Sequence, residues 1–198
     1  MHTVSITADP ARTCFHSNQN GTEETRVITI HTIWMIMRMF FSPDSIAVVG
    51  ASSDPNKIGG MILRNIIGSG FKGRVYPINI KGGIIAGVKA YESIEMLGET
   101  PDLVIMALQS QLVLGEMEKI GRKGVKAVVV ITAGFKEESS EGRELEKKLA
   151  EISKSYGMRV VGPNCFGLMN THLNLNSTFS SLFPPAGGIS LCSQSGAV

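Results

Sequence analysis

The chain has 198 residues, 43% of them hydrophobic and 22 of them glycine, a balance suited to a globular protein with many tight turns. Its 19 basic residues against 17 acidic ones give a net charge of +2, too near neutrality to indicate a nucleic-acid or membrane surface. Three scattered cysteines, Cys14, Cys165 and Cys192, offer neither a disulfide framework nor a C-x-x-C metal spacing, which points to a reducing cytoplasm.

Residues 1–26 are polar and show no period. An apolar run follows from Val27 to Phe41, broken by His31 and Arg38. It falls short of the roughly 20 residues a membrane-spanning helix needs. Its position does not fit a secretory signal either. Residues 1–39 are therefore expected to be an extension outside the folded domain, with a natural start at Met37 or Met39.

Regular patterning begins at Ser45. The continuous apolar run 45–50 ends in Gly50 and reads as a buried parallel strand. Ile58, Met61, Ile62, Asn65 and Ile66 recur at helical spacing over 57–69, and Gly68-Ser69-Gly70 closes that helix. A second strand is expected at 74–79, a chain break at Gly82-Gly83, a short helix at 91–97 and a third strand at 102–107. A helix over 110–122 leads to the β-branched run 127–132, which reads as a central strand. Residues 137–156 form a charged amphipathic helix with Leu145, Leu149 and Ile152 on one face, and a fifth strand enters "VGPNCFG" (161–167).

Strands alternating with helices at these distances predict right-handed crossovers and an open, doubly wound parallel α/β sheet. Residues 40–168 make up this domain. Residues 169–186 lose periodicity, include Phe183-Pro184-Pro185 and read as a linker. Residues 187–198 are expected to start a second domain with a strand at 187–193, cut short at its first turn.

In such a sheet, ligands sit beyond the carboxyl ends of the strands. The first strand delivers Gly50-Ala51-Ser52-Ser53 and then Lys57-Ile58-Gly59-Gly60 at a helix start. Free N–H groups and the helix dipole there favour an anion. The pattern is not G-x-G-x-x-G, and no acidic residue follows the second strand to read a ribose. Asn79-Ile80-Lys81-Gly82-Gly83 stands there instead, suiting a phosphorylated ribose or a pyrophosphate. The plainer alternative is a tight turn at Gly50 and a solvated charge at Lys81. Ile131, Thr132 and Ala133 offer a turn and one hydroxyl. Cys165 has no base in a recognisable pairing motif and defaults to a small buried hydrophobe, and His172 is a lone loop histidine.

In order along the chain, "SIAVVGAS" (45–52), "INIKGG" (78–83), "VVVITAGFKE" (128–137), "VGPNCFGLMN" (161–170) and "SLCSQSGAV" (190–198) are together specific. The chain resembles, over about residues 40–198, the N-terminal Rossmann-like CoA-binding domain of NDP-forming acyl-CoA synthetases. That family includes the ADP-forming acetate–CoA ligases and the alpha subunit of succinyl–CoA ligase. The resemblance implies that Gly50, Ala51, Ser52 and Ser53 hold CoA phosphates and that Lys81 approaches the nucleotide end. It implies that Ile131, Thr132 and Ala133 line the CoA groove and that Asn164 and Cys165 lie near the thiol end of the pantetheine arm. Ser193, Ser195 and Gly196 match a phosphate-binding turn that opens the second domain and faces a phosphohistidine. Ala107-Leu108-Gln109 departs from the Val-Pro-Ala usual at that strand end, and Ile80 stands where proline is frequent.

The resemblance implies CoA as ligand, with ATP or ADP and Mg used only by the complete enzyme. It implies, as partners, the remaining ligase domains or an ATP-grasp beta subunit, with neither nucleic acid nor membrane. The phosphorylated histidine of the family and its nucleotide-grasp domain have no counterpart here, and His172 does not match that histidine. The expectation is a CoA-binding fragment of an ADP-forming acyl-CoA synthetase, inactive alone. Two alternatives stay open: a stand-alone CoA-binding protein without ligase chemistry, against which the unfinished 193–198 turn counts, and an NAD(P)-dependent Rossmann protein.

Overall fold

The computed structural model describes residues 34–193. The first 33 residues, with most of the expected N-terminal extension, and Ser195 and Gly196 lie outside the described residues. A helix over residues 34–41 (α1) leads into β1 (Ser45–Val49), α2 (Ile58–Gly68), β2 (Arg74–Ile78), the hairpin β3 (Gly83–Ile85) and β4 (Val88–Ala90), and β5 (Leu103–Met106). Then come α3 (Ser110–Arg122), β6 (Ala127–Val130), α4 (Ser140–Ser155), β7 (Arg159–Val161) and a second small hairpin, β8 (Met169–Asn170) with β9 (Leu175–Asn176).

Five strands form one parallel sheet in the order β2-β1-β5-β6-β7, with Val49 level with Ile78 on one side and Met106 on the other. Every residue of β1, β5 and β6 is buried, as continuous apolar runs require when helices cover both faces. Alternation along the strands divides the core in two. Ala47, Val49, Val104, Met106, Val128 and Val130 face Val113, Met117 and Ile120 of α3 and Leu149 of α4. On the opposite side Ile46, Val48, Leu103, Ile105, Ala127 and Val129 face Ile62, Leu63 and Ile66 of α2. The doubly wound Rossmann-like α/β fold expected from the strand–helix alternation is the fold observed.

The α2 side has one long helix where the other side has two, and local chain supplements it. Phe40 of α1, Ile85 and Ala90 of the first hairpin and Leu175 of the second all join that core. Here the structure departs from the sequence reading. The Gly82-Gly83 break opens a hairpin whose two-residue turn, Ala86 (φ 49°) and Gly87 (φ 80°), has both residues left-handed, as the natural twist of a tight hairpin demands. The short helix expected over 91–97 is a single 3-10 turn, Ile94–Met96, because Tyr91 hydrogen-bonds along β2 through Pro77 and Asn79.

The stretch read as a linker from residue 169 is packed as far as Thr178. Leu175, Asn176, Ser177 and Thr178 are buried, and the Asn65 amide of α2 donates to the carbonyls of Thr178 and Ser180, 2.8 Å each. Short polar residues that hydrogen-bond one another hide this packing from a search for apolar periodicity. Asn176 Oδ1, for instance, accepts from the Thr178 N–H and hydroxyl. From residue 187 to 193 no strand forms among the described residues, and Ile189 is 97% exposed.

Leu175→Ala is expected to cost about 2–5 kcal/mol, the range for emptying a buried leucine site. Urea unfolding measures it. A loss well under 1 kcal/mol would mean that the 169–178 segment is not part of the folded core.

Candidate functional site

The chain runs from β1 outward to β2 and returns across β1 to β5, so the strand order reverses between β1 and β5. A crevice opens where the two following crossovers diverge. A cleft of about 380 Å³ lies there, lined by Gly50, Asn56, Lys57, Ile58, Gly59, Ala107, Leu108, Gln109, Ser110, Ile131, Thr132 and Ala133. These residues come from the loops after β1, β5 and β6 and from the starts of α2 and α3.

Backbone proximity shapes the cleft floor. Gly50 has φ 89°, and a Cβ there would overlap the Ala107 carbonyl and crowd Leu108. A Cβ on Gly59 would overlap the Gly50 carbonyl, and one on Gly60 the Asp54 carbonyl. Three glycines thus let the α2 N-terminus sit directly against the β1 turn, with β5 on the far side.

The electrostatics of the two helix ends are alike. Neither Lys57 at the start of α2 nor Gln109 at the start of α3 caps its helix with a side chain, and neither first turn holds an acidic residue. At α4, which lies off the cleft, Ser139 accepts from the Gly142 N–H and Glu141 stands in the first turn. Two helix N-termini with no side-chain cap and no acidic residue in their first turns therefore meet at one cleft, with Lys57 in its lining. That combination suits an anion.

Of the residues expected at the site, Gly50, Ile131, Thr132 and Ala133 line the cleft. Ala51 does not: it is buried in the α2-side core, and its carbonyl accepts the Asn79 amide at 2.7 Å. Ser52 accepts from the Asp54 N–H, shaping the turn, while Ser53 is exposed beside it. Lys81 is exposed on the next loop, its N–H held by Asn79 Oδ1 at 2.8 Å, so Asn79 ties that loop to the β1 turn. Asn164 takes φ 52° and donates its N–H to the Thr132 carbonyl at 2.9 Å, which joins the turn after β7 to the cleft wall. Ser193 belongs to the exposed segment that follows the domain.

Cys165 sits in that same turn, reached through the cis Gly162–Pro163 bond. Its Sγ lies 3.3 Å from the Val130 carbonyl and 3.7 Å from that of Val161. Burial pushes the thiol up from its ordinary value, more than nearby backbone N–H groups pull it down. A protonated thiol donating to carbonyls is a packing group.

The cleft residues that the sequence left unassigned are Asn56 and Ser110, since Lys57, Ile58 and Gly59 were read at an anion-favouring helix start and Ala107 to Gln109 as a departure from the family pattern. The available signal was topological, since strands flanking a switch point contribute both of their following turns. Glu137 is a further one. Its carboxylate accepts from the N–H groups of Gly134 (2.8 Å) and Phe135 (3.2 Å), holding the turn that carries Ala133 and delaying the start of α4 to Ser140. Burial works against the ionised form, yet those N–H groups and Lys136 outweigh it and keep the carboxyl below the usual range.

A family profile described as a CoA binding domain matches residues 44–171, the segment that contains the whole sheet and the cleft. The chain belongs to this CoA-binding domain family. It is 47% identical over 156 residues to an ADP-forming acetate–CoA ligase of Methanocaldococcus jannaschii, covering 79% of this chain and 22% of that protein. It is 46% identical over 160 residues to the alpha subunit of ADP-forming acetate–CoA ligase II of Pyrococcus furiosus, covering 80% and 34%. Among solved structures, the dinucleotide-forming acetyl-coenzyme A synthetase 1 of Candidatus Korarchaeum cryptofilum, in complex with phosphate and ADP, superposes with a TM-score of 0.68 at 46% identity. That match covers 73% of this chain and 30% of the synthetase. The chain thus spans between a fifth and about a third of the length of these three relatives.

Two measurements check this site. Alkylation near pH 7 should label exposed Cys192 well before Cys165, with Cys165 accelerating only above the ordinary thiol range, about pH 8.5. Rapid labelling of Cys165 at neutral pH would contradict its packing role. A depressed carboxylate stabilises the fold above its unfolded value and loses that contribution as pH falls through the folded value. The stability gap between wild type and Glu137→Gln should therefore hold steady at neutral pH and close below about pH 4. A gap that widens in acid would reverse the assigned direction.

Proposed function

We propose that this CoA-binding domain holds the anionic end of CoA in the switch-point cleft and forms the CoA-binding part of an ADP-forming acyl-CoA ligase. The observation that carries the reading is the meeting of two uncapped helix N-termini and Lys57 at one cleft within the family's segment. Backbone N–H groups at Ile58, Gly59 and Ser110 are suited to phosphate oxygens, and Lys57 supplies the countercharge. Apolar Ile131 and Ala133 and the amide-bearing Gln109 suit an arm that is part hydrocarbon and part amide. Gly50 contributes by the room it leaves, and Ser52 and Ser53 by shaping the turn beside it.

Lys81, on a loop tied to the β1 turn through Asn79, is proposed to meet a further phosphate at the nucleotide end. The turn with Asn164 and Cys165, fixed to Thr132, is proposed to border the thiol end. In the ligase reaction a phosphohistidine passes its phosphoryl group to the acid, and the CoA thiol then takes the acyl group from the acyl phosphate as a thioester, releasing inorganic phosphate. This domain's share is to bind and orient CoA. ATP, ADP and Mg belong to other parts, supplied by further ligase domains or a beta subunit, and Ser193, Ser195 and Gly196 are proposed to open the first of these. A ligase of this kind works in the cytoplasm.

Calorimetry of the purified chain with CoA, dephospho-CoA and NAD tests the proposal. CoA should bind more tightly than NAD, and the opposite order would overturn it. Lys57→Ala should weaken CoA and dephospho-CoA alike by about tenfold or more, the cost of losing a charged hydrogen-bond partner. Lys81→Ala should weaken CoA more than dephospho-CoA, and equal losses would move Lys81 to the pyrophosphate.

A further inference from the structure

Thr132 lines the cleft, yet the residue is only 6% exposed. Its hydroxyl accepts the Leu108 N–H at 3.2 Å, from the loop after β5. Its carbonyl accepts the Asn164 N–H at 2.9 Å, from the turn after β7. Leu108 in turn is the residue that a Cβ on Gly50 would crowd, so the chain of close fits runs from the β1 turn to the β7 turn through this one threonine. The sheet itself cannot supply that continuity. β5 and β6 pair only as far as Met106 with Val130, β6 and β7 only as far as Val129 with Val161, and one further sheet bond joins Ile131 N–H to Met106. Beyond those points the loops are held by contacts outside the ladder, those of Thr132 and the approach of Cys165 Sγ to the Val130 carbonyl among them.

We infer that Thr132 is a positioning residue of the CoA cleft, joining the loops after β5, β6 and β7, with its hydroxyl spent on the protein and not on the ligand. The inference rests on the assignment of CoA to this cleft. With valine at 132 the shape is kept but Leu108 N–H loses its acceptor, and the loop that carries Leu108, Gln109 and Ser110 loses its hydrogen bond to residue 132.

The test is CoA binding by calorimetry, well below the melting temperature, for wild type, Thr132→Val, Thr132→Ser and Thr100→Val. Thr100 is the control, its hydroxyl donating to the Lys123 carbonyl away from the cleft. Thr132→Val should bind CoA about tenfold more weakly, Thr132→Ser within about threefold of wild type because the acceptor is restored, and Thr100→Val like wild type. Unchanged affinity in Thr132→Val, or equal weakening in Thr132→Val and Thr100→Val, would overturn the inference while leaving the cleft assignment standing. A wild-type chain that does not bind CoA would overturn the cleft assignment and the inference together. Should Thr132→Val not fold, amide exchange on wild type decides. CoA is expected to slow the Leu108 and Asn164 amides together, and slowing at Leu108 alone would refute the shared anchor.

Discussion

The structure depends on a steric condition at the end of β1: three stretches of backbone approach so closely that no side chain fits between them. Gly50 lies against the Ala107 carbonyl and Gly59 against the Gly50 carbonyl. This proximity brings the start of α2 and the loop after β5 to the two sides of one crevice. A methyl group at Gly50 would need both an unfavourable positive φ and space already filled by Ala107 and Leu108. The cleft is thus a consequence of main-chain packing, and its polarity comes from the helix ends which that packing aims into it.

The same economy explains the uneven cover of the sheet. Two helices shield one face and a single long helix the other, so the α2 side borrows Phe40, Ile85, Ala90 and Leu175 from loops and hairpins. Asn65, at a position that reads as part of the apolar stripe of α2, is polar because it holds the backbone at Thr178 and Ser180. The segment after β7 therefore belongs to the domain physically, and its hydrogen-bonded turns continue from the turn that carries Asn164 and Cys165.

How far this was legible in sequence follows from what each part rests on. β1, β5 and β6 are continuous apolar runs because both sheet faces are covered, and α3 shows its 113–117–120 spacing, so the doubly wound sheet could be read directly. The hairpins could not. β3 and β4 hide behind glycines that look like a break, and β8 and β9 are two residues each, stabilised by Asn, Ser and Thr contacts that leave no period. Gly50 and Ile131 to Ala133 line the cleft because they end strands, and Lys57 and Gln109 join them because the topology brings two helix starts together. Ala51 shows a backbone effect that the sequence hides: the positive φ of Gly50 interrupts the strand alternation, and the next side chain packs into the α2-side core.

This geometry also reconciles a nearly neutral chain with an anionic ligand. A net charge of +2 excludes a broad basic surface, but binding one phosphorylated group does not need one. Two helix ends carry roughly half a positive charge each. With Lys57 they concentrate positive potential in a cleft of about 380 Å³, without an acidic residue in either first turn to cancel it. Where a helix start serves only the fold, as at α4, Ser139 and Glu141 cap and neutralise it. The contrast lies within one sheet and one chain. It separates helix starts without a side-chain cap, at the cleft, from one that is capped, and it does so without reference to overall composition.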